Sequence, residues 1–597
     1  MEDAEKVIPT GYYQKETEVS PHASENLPQY GEHEATRGTL AQRFIDGFKR
    51  DPNAATTPPG TVGANGRVFD AEAAAYATAN TGLQRHLKGR HLQMIAIGGS
   101  IGTGLFVGSG SALATGGPAS LVICFCLIGM MLYCTVHALG EMAVLFPVAG
   151  SFSAYSTRFL DPAWGFAMGW NYAMQWLVVL PLEIVAATLV IDFWSNYSIS
   201  NDAWVAIFLV LIIVINLFGV KGYGEAEFVF AIIKVVAVIG WIILGIILNC
   251  GGGPQGGYIG GRYWYAPYDA FAGNGFKGLC SVFVTAAFAF AGTELVGLAA
   301  AETANPRKSL PTAIKQVFWR ITIFYIVSLT LVGLLVPADD PRLLNGASSA
   351  DASASPFVIA IFNAGISGLP SVMNAVILIA VLSVGNSSVY GSSRTLAALA
   401  DQGQAPKILG YIDRKGRPIV AIGVASALGL LAFFAGSDKQ KDAFNWMLAL
   451  SGLSSIFTWG SICLAHIRFR RAWHVQGHTL DELPFRSQPG VIGSWLGFIM
   501  NCLVLIAQFW TGAWPIDFQD DSASYLVTNF FQAYLAAPVV IAFYIGYKLW
   551  VRPPFMRAHN MDLHTGMRDL NIAELIAEER AERAQWPRWK KTYKFCC

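Results

Sequence analysis

Apolar stretches of about twenty residues recur along most of the chain, and the charged residues fall between them. A helix crossing the hydrocarbon core needs about 20 largely apolar residues, each rising about 1.5 Å. The recurrence therefore restricts the chain to a bundle of membrane-spanning helices. Such stretches lie at 94–116, 119–147, 163–192, 203–220, 228–249 and 278–300, then at 319–337, 356–385, 418–436, 443–467, 491–512 and 526–547. The sequence thus predicts an all-α membrane protein of twelve spans, of which the third and eighth are long enough to require tilt. Barrel strands are short and alternate in polarity, so a barrel is excluded. Composition agrees, because 14% of the residues are charged against roughly 25% in soluble domains.

Lys and Arg between the spans set the orientation. Loops on the side of the N-terminus hold Arg158, Lys221, Arg307, Lys308, Lys315, Arg320, Arg394, Lys407, Arg414, Lys415 and Arg417, with Arg468, Arg470, Arg471 and Arg486 further on. The other side has Arg262, Arg342, Lys439 and Lys441. Both tails are therefore expected to be cytoplasmic. The organisation is a tail at 1–90, a membrane domain at 91–551 and a second tail at 552–597. The first tail is rich in Pro, Ala, Thr, Gly and Glu without an apolar period, the pattern of a disordered segment. In the second, Asp569 is placed to cap a helix through Ala581, with Leu570, Ile572, Leu575 and Ile576 as the stripe that packs on the inner loops.

Cysteines such as Cys124, Cys126 and Cys134 sit inside apolar runs without metal spacing. Neither a cofactor, a metal nor a nucleic-acid partner is expected. Outside the spans there is no nucleotide-binding glycine loop, metal cluster or triad spacing, which argues against an enzyme. A channel filter would need repeated polar rings on a symmetry axis, and the sequence offers two different interrupted helices instead.

Those interruptions are the most informative local feature. The first span contains Gly98-Gly99-Ser100-Ile101-Gly102-Thr103-Gly104, and the sixth contains Phe288-Ala289-Phe290-Ala291-Gly292-Thr293-Glu294. Glycine is common in membrane helices for close packing. If the fold is two inverted repeats of five spans, two such segments five spans apart are the first span of each, and that pairing points to a transporter binding site. Unwound backbone frees N–H and C=O groups, which is tolerable at membrane depth only where they line a cavity or meet a ligand. N–H groups at a helix start suit a carboxylate and freed carbonyls suit an ammonium, so a zwitterion fits both.

A charge at bilayer depth costs about 2.5–3.5 kcal/mol even on the lenient insertion scale. Glu183 in the third span, Lys234 in the fifth and Glu294 in the sixth are accordingly functional candidates. Glu141, Asp192 and His466 sit at span ends and read as interfacial. Lys234, six residues inside its span, is at a depth from which a lysine can snorkel. Glu294 fits three roles: holding the unwound backbone, pairing with Lys234, or exchanging protons. Glu183 fits three others: facing a substrate ammonium, accepting a coupling proton, or staying buried and protonated.

Long segments carry a resemblance. RHLKGRHLQMIAIGGSIGTGLFVGSG at 85–110, GSFSAYSTRFLDPAWGFAMGWNYAMQWLVVLPLEIVAA at 150–187, FAFAGTELVGLAAAETANPRKSLP at 288–311 and the stretch 374–418 are similar to the yeast amino-acid transporter family of the amino acid–polyamine–organocation superfamily. Within it the chain most resembles the fungal general amino-acid permeases, over about 82–555. The resemblance implies a core of 5+5 inverted repeats like the leucine-transporter fold plus two extra helices. It also implies broad-specificity, proton-coupled uptake of L-amino acids across a fungal plasma membrane. Ser100, Ile101, Gly102, Thr103 and Gly104 would contact substrate, with Phe288, Ala289 and Ala291 from the sixth span; Phe288 aligns with the aromatic that closes over the ligand. Lys234 would stand where sodium-driven relatives hold a sodium ion. Some family members are nutrient sensors, generally with a longer tail than this one, and a sensor or a narrower permease is the alternative. Lys6 and Lys15 are candidate acceptors for a ubiquitin ligase and its adaptors, against a reading as ordinary solvated lysines. Cys596 and Cys597 suit S-palmitoylation, since the four-residue CaaX spacing of prenylation is absent.

Overall fold

The computed structural model describes residues 46–50, 70–99, 101–194, 199–255, 257–345, 355–436, 440–516, 523–567 and 585–587. Ser100, Lys6, Lys15, Cys596, Cys597 and the helix expected from Asp569 lie outside them. Residues 46–49 belong to a unit of their own, a turn closed by Lys49 Nζ on Asp46 (2.6 Å). The described residues from Arg50 onward belong to the second unit.

That unit is helical because its sequence leaves no other option at membrane depth: a helix satisfies its own backbone hydrogen bonds. Among the described residues, eight helices are long and apolar enough to cross a membrane singly, and Ala523–Tyr534 with Ala536–Val551, bent by 65°, make a ninth if the pair is one span. Asn201–Leu217 and Ile419–Phe434 are shorter apolar helices. The longest run, Gly104–Leu145, is two spans folded at Gly117, whose φ of 75° ends one helix before Pro118 starts the next. An added Cβ at Gly117 would lie 2.4 Å from the Ala270 carbonyl oxygen, so glycine is required there on two counts. Twelve spans result among the described residues. The eleventh, Gly490–Ala513, packs on the second and tenth, and the twelfth on the third.

Successive spans alternate in direction, which puts the described tails, 70–88 and 552–567, on one face. This tail face is tied together by backbone. Leu87 N–H donates to the Glu302 carbonyl and Ala304 N–H to the Leu87 carbonyl, both at 3.0 Å, joining the entry to the first span to the exit from the sixth. Arg158 Nη1 donates to the Thr565 carbonyl at 2.9 Å, holding the C-terminal stretch. Burial opposes the charge on Asp562, but Arg158 and the N–H groups of Thr565 and His564 outweigh it and keep this carboxyl below its ordinary range.

Three expectations need correction. The eighth span does not run over 356–385: Pro356–Asn363 is a separate short helix, Gly365 and Gly368 turn with φ of 72° and 81°, and the span is Leu369–Asp401. Its serine-rich second half reads as a loop. It is helical, and the Ser392 and Thr395 hydroxyls are satisfied within the helix by donating to the carbonyls of Ser388 and Gly391, both at 2.7 Å. The fifth span begins at Gly219 rather than 228, making Lys234 the central residue of the 31-residue helix Gly219–Asn249. At about 1.5 Å per residue its Cα is out of snorkelling range from both ends.

Glu141 and His466, expected at an interface, are both fully buried. Glu141 accepts from Arg470 Nη2 (2.8 Å), His466 Nε2 (3.1 Å) and the Ser487 N–H (2.7 Å). Arg470 was likewise assigned to a loop by its charge. Removing one partner of a buried pair costs about 3–5 kcal/mol, so Glu141→Ala should lower the melting temperature of the detergent-solubilised protein and its abundance at the membrane. Wild-type values for both would mean the pair holds nothing.

Candidate functional site

The first and sixth spans are the ones the sequence marks as broken, and both are broken. Gly89–Gly98 is helical, and helix resumes at Thr103 with a wide π-helical turn over Gly104–Gly108. In the sixth, Gly275–Phe290 ends where Ala291 turns extended (ψ 146°) and Gly292 takes a φ of 94°; helix resumes at Leu295. An added Cβ at Gly292 would lie 3.3 Å from the Gly99 carbonyl oxygen and 3.3 Å from the Trp176 ring. The two breaks therefore face one another, with the third span alongside. At Gly104 an added Cβ would lie 2.4 Å from Ala289 Cα, so the residues expected to bracket a ligand also hold the two spans in contact.

Freed carbonyls at the end of Gly89–Gly98 carry the negative end of a helix dipole, and two cations meet them. Lys234 Nζ donates to the Gly98 carbonyl at 2.6 Å. Arg320, from the seventh span, donates to the Ala96 carbonyl and to Thr293 Oγ1, linking the first break to the sixth. Arg320 precedes a π-helical stretch, Ile321–Val327, a distortion that recurs at functional sites. The sequence reading put Arg320 in a loop because a charge ended the apolar run; the guanidinium is in fact buried.

The carboxylates take distinct places. Glu183 accepts from Thr103 Oγ1 of the first break, and its other oxygen, Oε1, has no partner among the described residues. Glu294 does not pair with Lys234. It accepts from the Gly292 N–H (3.2 Å), Tyr172 OH (3.1 Å) and Trp459 Nε1 (3.2 Å), and so clamps its own break to the third and tenth spans. The partner of Lys234 is Glu227, at 3.5 Å, with both side chains buried. Glu227 was missed because the fifth span was started at 228, just past it, whereas the helix begins at Gly219. Its signal was present: it lies seven residues before Lys234, two helical turns along the same face.

Ile101, Gly102, Ala289 and Ala291 line the breaks. Ile101 and Ala289 are buried, Ala291 is partly exposed, and a Cβ at Gly102 would lie 2.4 Å from Val384 of the eighth span. Between the third and tenth spans, Gln175 Nε2 donates to Ser455 Oγ at 2.8 Å and Asn171 Nδ2 to the Ser454 carbonyl at 3.0 Å. Sequence reasoning did not single out these polar neighbours, since serine and glutamine inside a span carry no charge signal. On the face opposite the tails a cavity of about 360 Å³ is lined by Ser111, Ser281, Thr285 and Asn445 among others, within the range of small-ligand sites.

Phe288 lies on the last turn before the sixth-span break, against Gly452 of the tenth span. Its replacement by alanine should weaken uptake of every substrate about ten- to a hundredfold, the worth of a buried aromatic side chain at about 1.5–3 kcal/mol. Concentration dependence of uptake, normalised to surface protein, measures this. A loss confined to one substrate would make Phe288 a specificity residue.

Comparison with known proteins agrees with this architecture. A family model described as amino acid permease matches residues 91–560. A general amino-acid permease of Candida albicans is 60% identical over 560 residues, covering 93% of this chain and 93% of that protein. A general amino-acid permease of Saccharomyces cerevisiae is 57% identical over 573 residues, covering 94% and 93%. A histidine permease of Saccharomyces cerevisiae is 53% identical over 510 residues, 84% of each. With a family match across the whole membrane domain and these relatives along nearly its full length, the chain belongs to the amino acid permease family, a family of multi-pass membrane transporters and not of enzymes.

Proposed function

We propose that this protein is a broad-specificity permease for L-amino acids, driven by protons, working by alternating access at the plasma membrane with both tails in the cytoplasm. Relatives named as general amino-acid permeases support the breadth. The observation that carries the mechanism is the meeting of the two broken spans beside a buried lysine. In this reading the 101–104 segment and Ala291–Gly292 present backbone groups to the α-carboxylate and ammonium, and Phe288 closes over them. Glu183, joined to Thr103, and Lys234, joined to Gly98, sense the position of the first span. Lys234 supplies in fixed form the positive charge that a bound sodium ion would otherwise bring. Glu294 holds the sixth-span break in shape.

Uptake of a panel of labelled amino acids by cells lacking their own permeases, with and without a protonophore, tests the proposal. Saturable uptake of neutral, acidic and basic amino acids, abolished by the protonophore, is the expected result. Uptake of one class alone would overturn the breadth, and uptake indifferent to the protonophore would overturn the coupling.

A further inference from the structure

Lys234 opens a row of buried polar side chains that the substrate site does not use. Its three N–H groups go to the Gly98 carbonyl (2.6 Å), Ser383 Oγ (2.8 Å) and Glu227 Oε1 (3.5 Å). The last is long for a hydrogen bond, since N–H···O contacts centre on about 2.9–3.0 Å. Ser383 Oγ, however, also reaches Glu227 Oε1 and Oε2 at 2.8 Å each. Beyond Glu227, Ser387 Oγ lies 3.4 Å from Oε2 and 3.1 Å from Tyr223 OH. The Tyr223 ring lies flat on Tyr390, with centroids 4.2 Å apart and planes 2° from parallel. Tyr390 OH donates to Glu302 Oε2 at 2.6 Å. Glu302 is paired with Arg394 at 3.3 Å, where the sixth span reaches the tail face. All of these side chains are buried.

We propose that Glu227 is the acceptor of the Lys234 proton, and that Ser387 and Tyr223 lead that proton from Glu227 toward the tail-side end of the fifth span. The proposal rests on the proton-coupled reading above and assigns the exchanging carboxylate within it. In the first step the Lys234 N–H bond breaks as an O–H bond forms on Ser383, and Ser383 gives its own hydroxyl proton to Glu227. Ammonium and carboxylate become amine and carboxylic acid, and no net charge moves. The other charged groups facing Lys234 are Glu183 of the third span and Arg320 of the seventh. Arg320 cannot accept a proton, and among the described residues no hydroxyl joins Glu183, which is bonded to Thr103, to Lys234. Discharge leaves the amine two N–H groups, for the Gly98 carbonyl and Glu227, and a lone pair that accepts from the reversed Ser383 hydroxyl. Proton transfer thus replaces a charge-assisted bond to Gly98 by a neutral one of roughly half its strength, which couples protonation to the position of the first half-helix.

The test uses the full-length protein in lipid vesicles, with accumulation under an imposed proton gradient, counterflow exchange without one, and proton entry followed by a trapped pH dye. At one proton per substrate a gradient of one pH unit sustains about tenfold accumulation. Glu227→Gln should reduce that ratio to one while exchange continues, a split that a merely structural defect would not produce. Tyr223→Phe removes a single hydroxyl from the far end of the relay, and should slow dye-reported proton entry while exchange keeps its rate. It carries the test if Glu227→Gln does not assemble. Full accumulation by Glu227→Gln, or wild-type proton entry through Tyr223→Phe, with a wild-type protein that is proton-driven, would overturn the relay alone. A wild-type protein that accumulates substrate without a proton gradient would overturn the coupled reading and the relay with it.

Discussion

Lys234→Met should abolish accumulation against a gradient while leaving transport independent of sodium. The ammonium sits at the centre of a 31-residue helix, fully buried, between the Gly98 carbonyl and Glu227. A second cation placed beside it would be repelled strongly at low dielectric. Methionine fills the same volume without charge or donor, so the driving ion loses its site. Lys234→Arg should fail too, because a guanidinium does not release its proton and presents a wider planar group. The methionine variant also leaves Glu227 buried without its cation, a loss of about 3–5 kcal/mol. Lys234→Met with Glu227→Gln should therefore recover protein abundance without recovering accumulation. The measurement is uptake into vesicles with proton and sodium gradients imposed separately. Accumulation driven by sodium alone in the wild type would end the role given to Lys234. Full proton-driven accumulation with arginine would reduce Lys234 to a fixed charge.

Gly104→Val should eliminate uptake of every substrate. An added Cβ would stand 2.4 Å from Ala289 Cα and 2.8 Å from its nitrogen, and backbone atoms cannot rotate away as a side chain can. The second half of the first span would be pushed off the sixth at the point where the two breaks face each other. Overpacking of this kind costs about 1–3 kcal/mol, which distorts a site without necessarily unfolding a twelve-span bundle. The sequence suggested a different reason, space beside N–H donors; the structure fills that space with Ala289. Gly108→Ala is the control, since its Cβ would meet Thr285 Cγ2 at 3.4 Å and the Thr103 carbonyl oxygen at 3.8 Å, both ordinary contacts. Uptake per surface molecule decides the matter: activity in Gly104→Val near wild type would sink the assignment, and so would equal loss in Gly108→Ala.

The spans and both breaks were legible because their signals are local. About twenty apolar residues in a row report a membrane crossing, and Gly98-Gly99 or Ala291-Gly292 report backbone that leaves the helix. The pairings were not. Charge marks a span's end in such a reading, so Arg320 and Arg394 fall in the loops and Glu302, two residues past the sixth span, is not singled out. Each is buried against a group far along the chain: Arg394 on Glu302, and Arg320 on Ala96 and Thr293. A charge neutralised from another helix leaves no mark in its own neighbourhood. Glu227 is the exception, because its partner lies on the same helix and the seven-residue spacing could have revealed it.

The pair of backbone bonds between Leu87 and the 302–304 segment makes a rigid crossbar. Leu87 sits just before the first half-helix Gly89–Gly98, and Glu302 ends the short helical run that follows the sixth-span break. Neither bond involves a side chain, so no substitution other than proline at Leu87 or Ala304 would delete one outright. The two half-helices on that side are thus yoked, and a gate opening there swings as a single leaf rather than as two shutters. A spin label on each half would keep one separation through the whole cycle, while the distance from either to the third span changed.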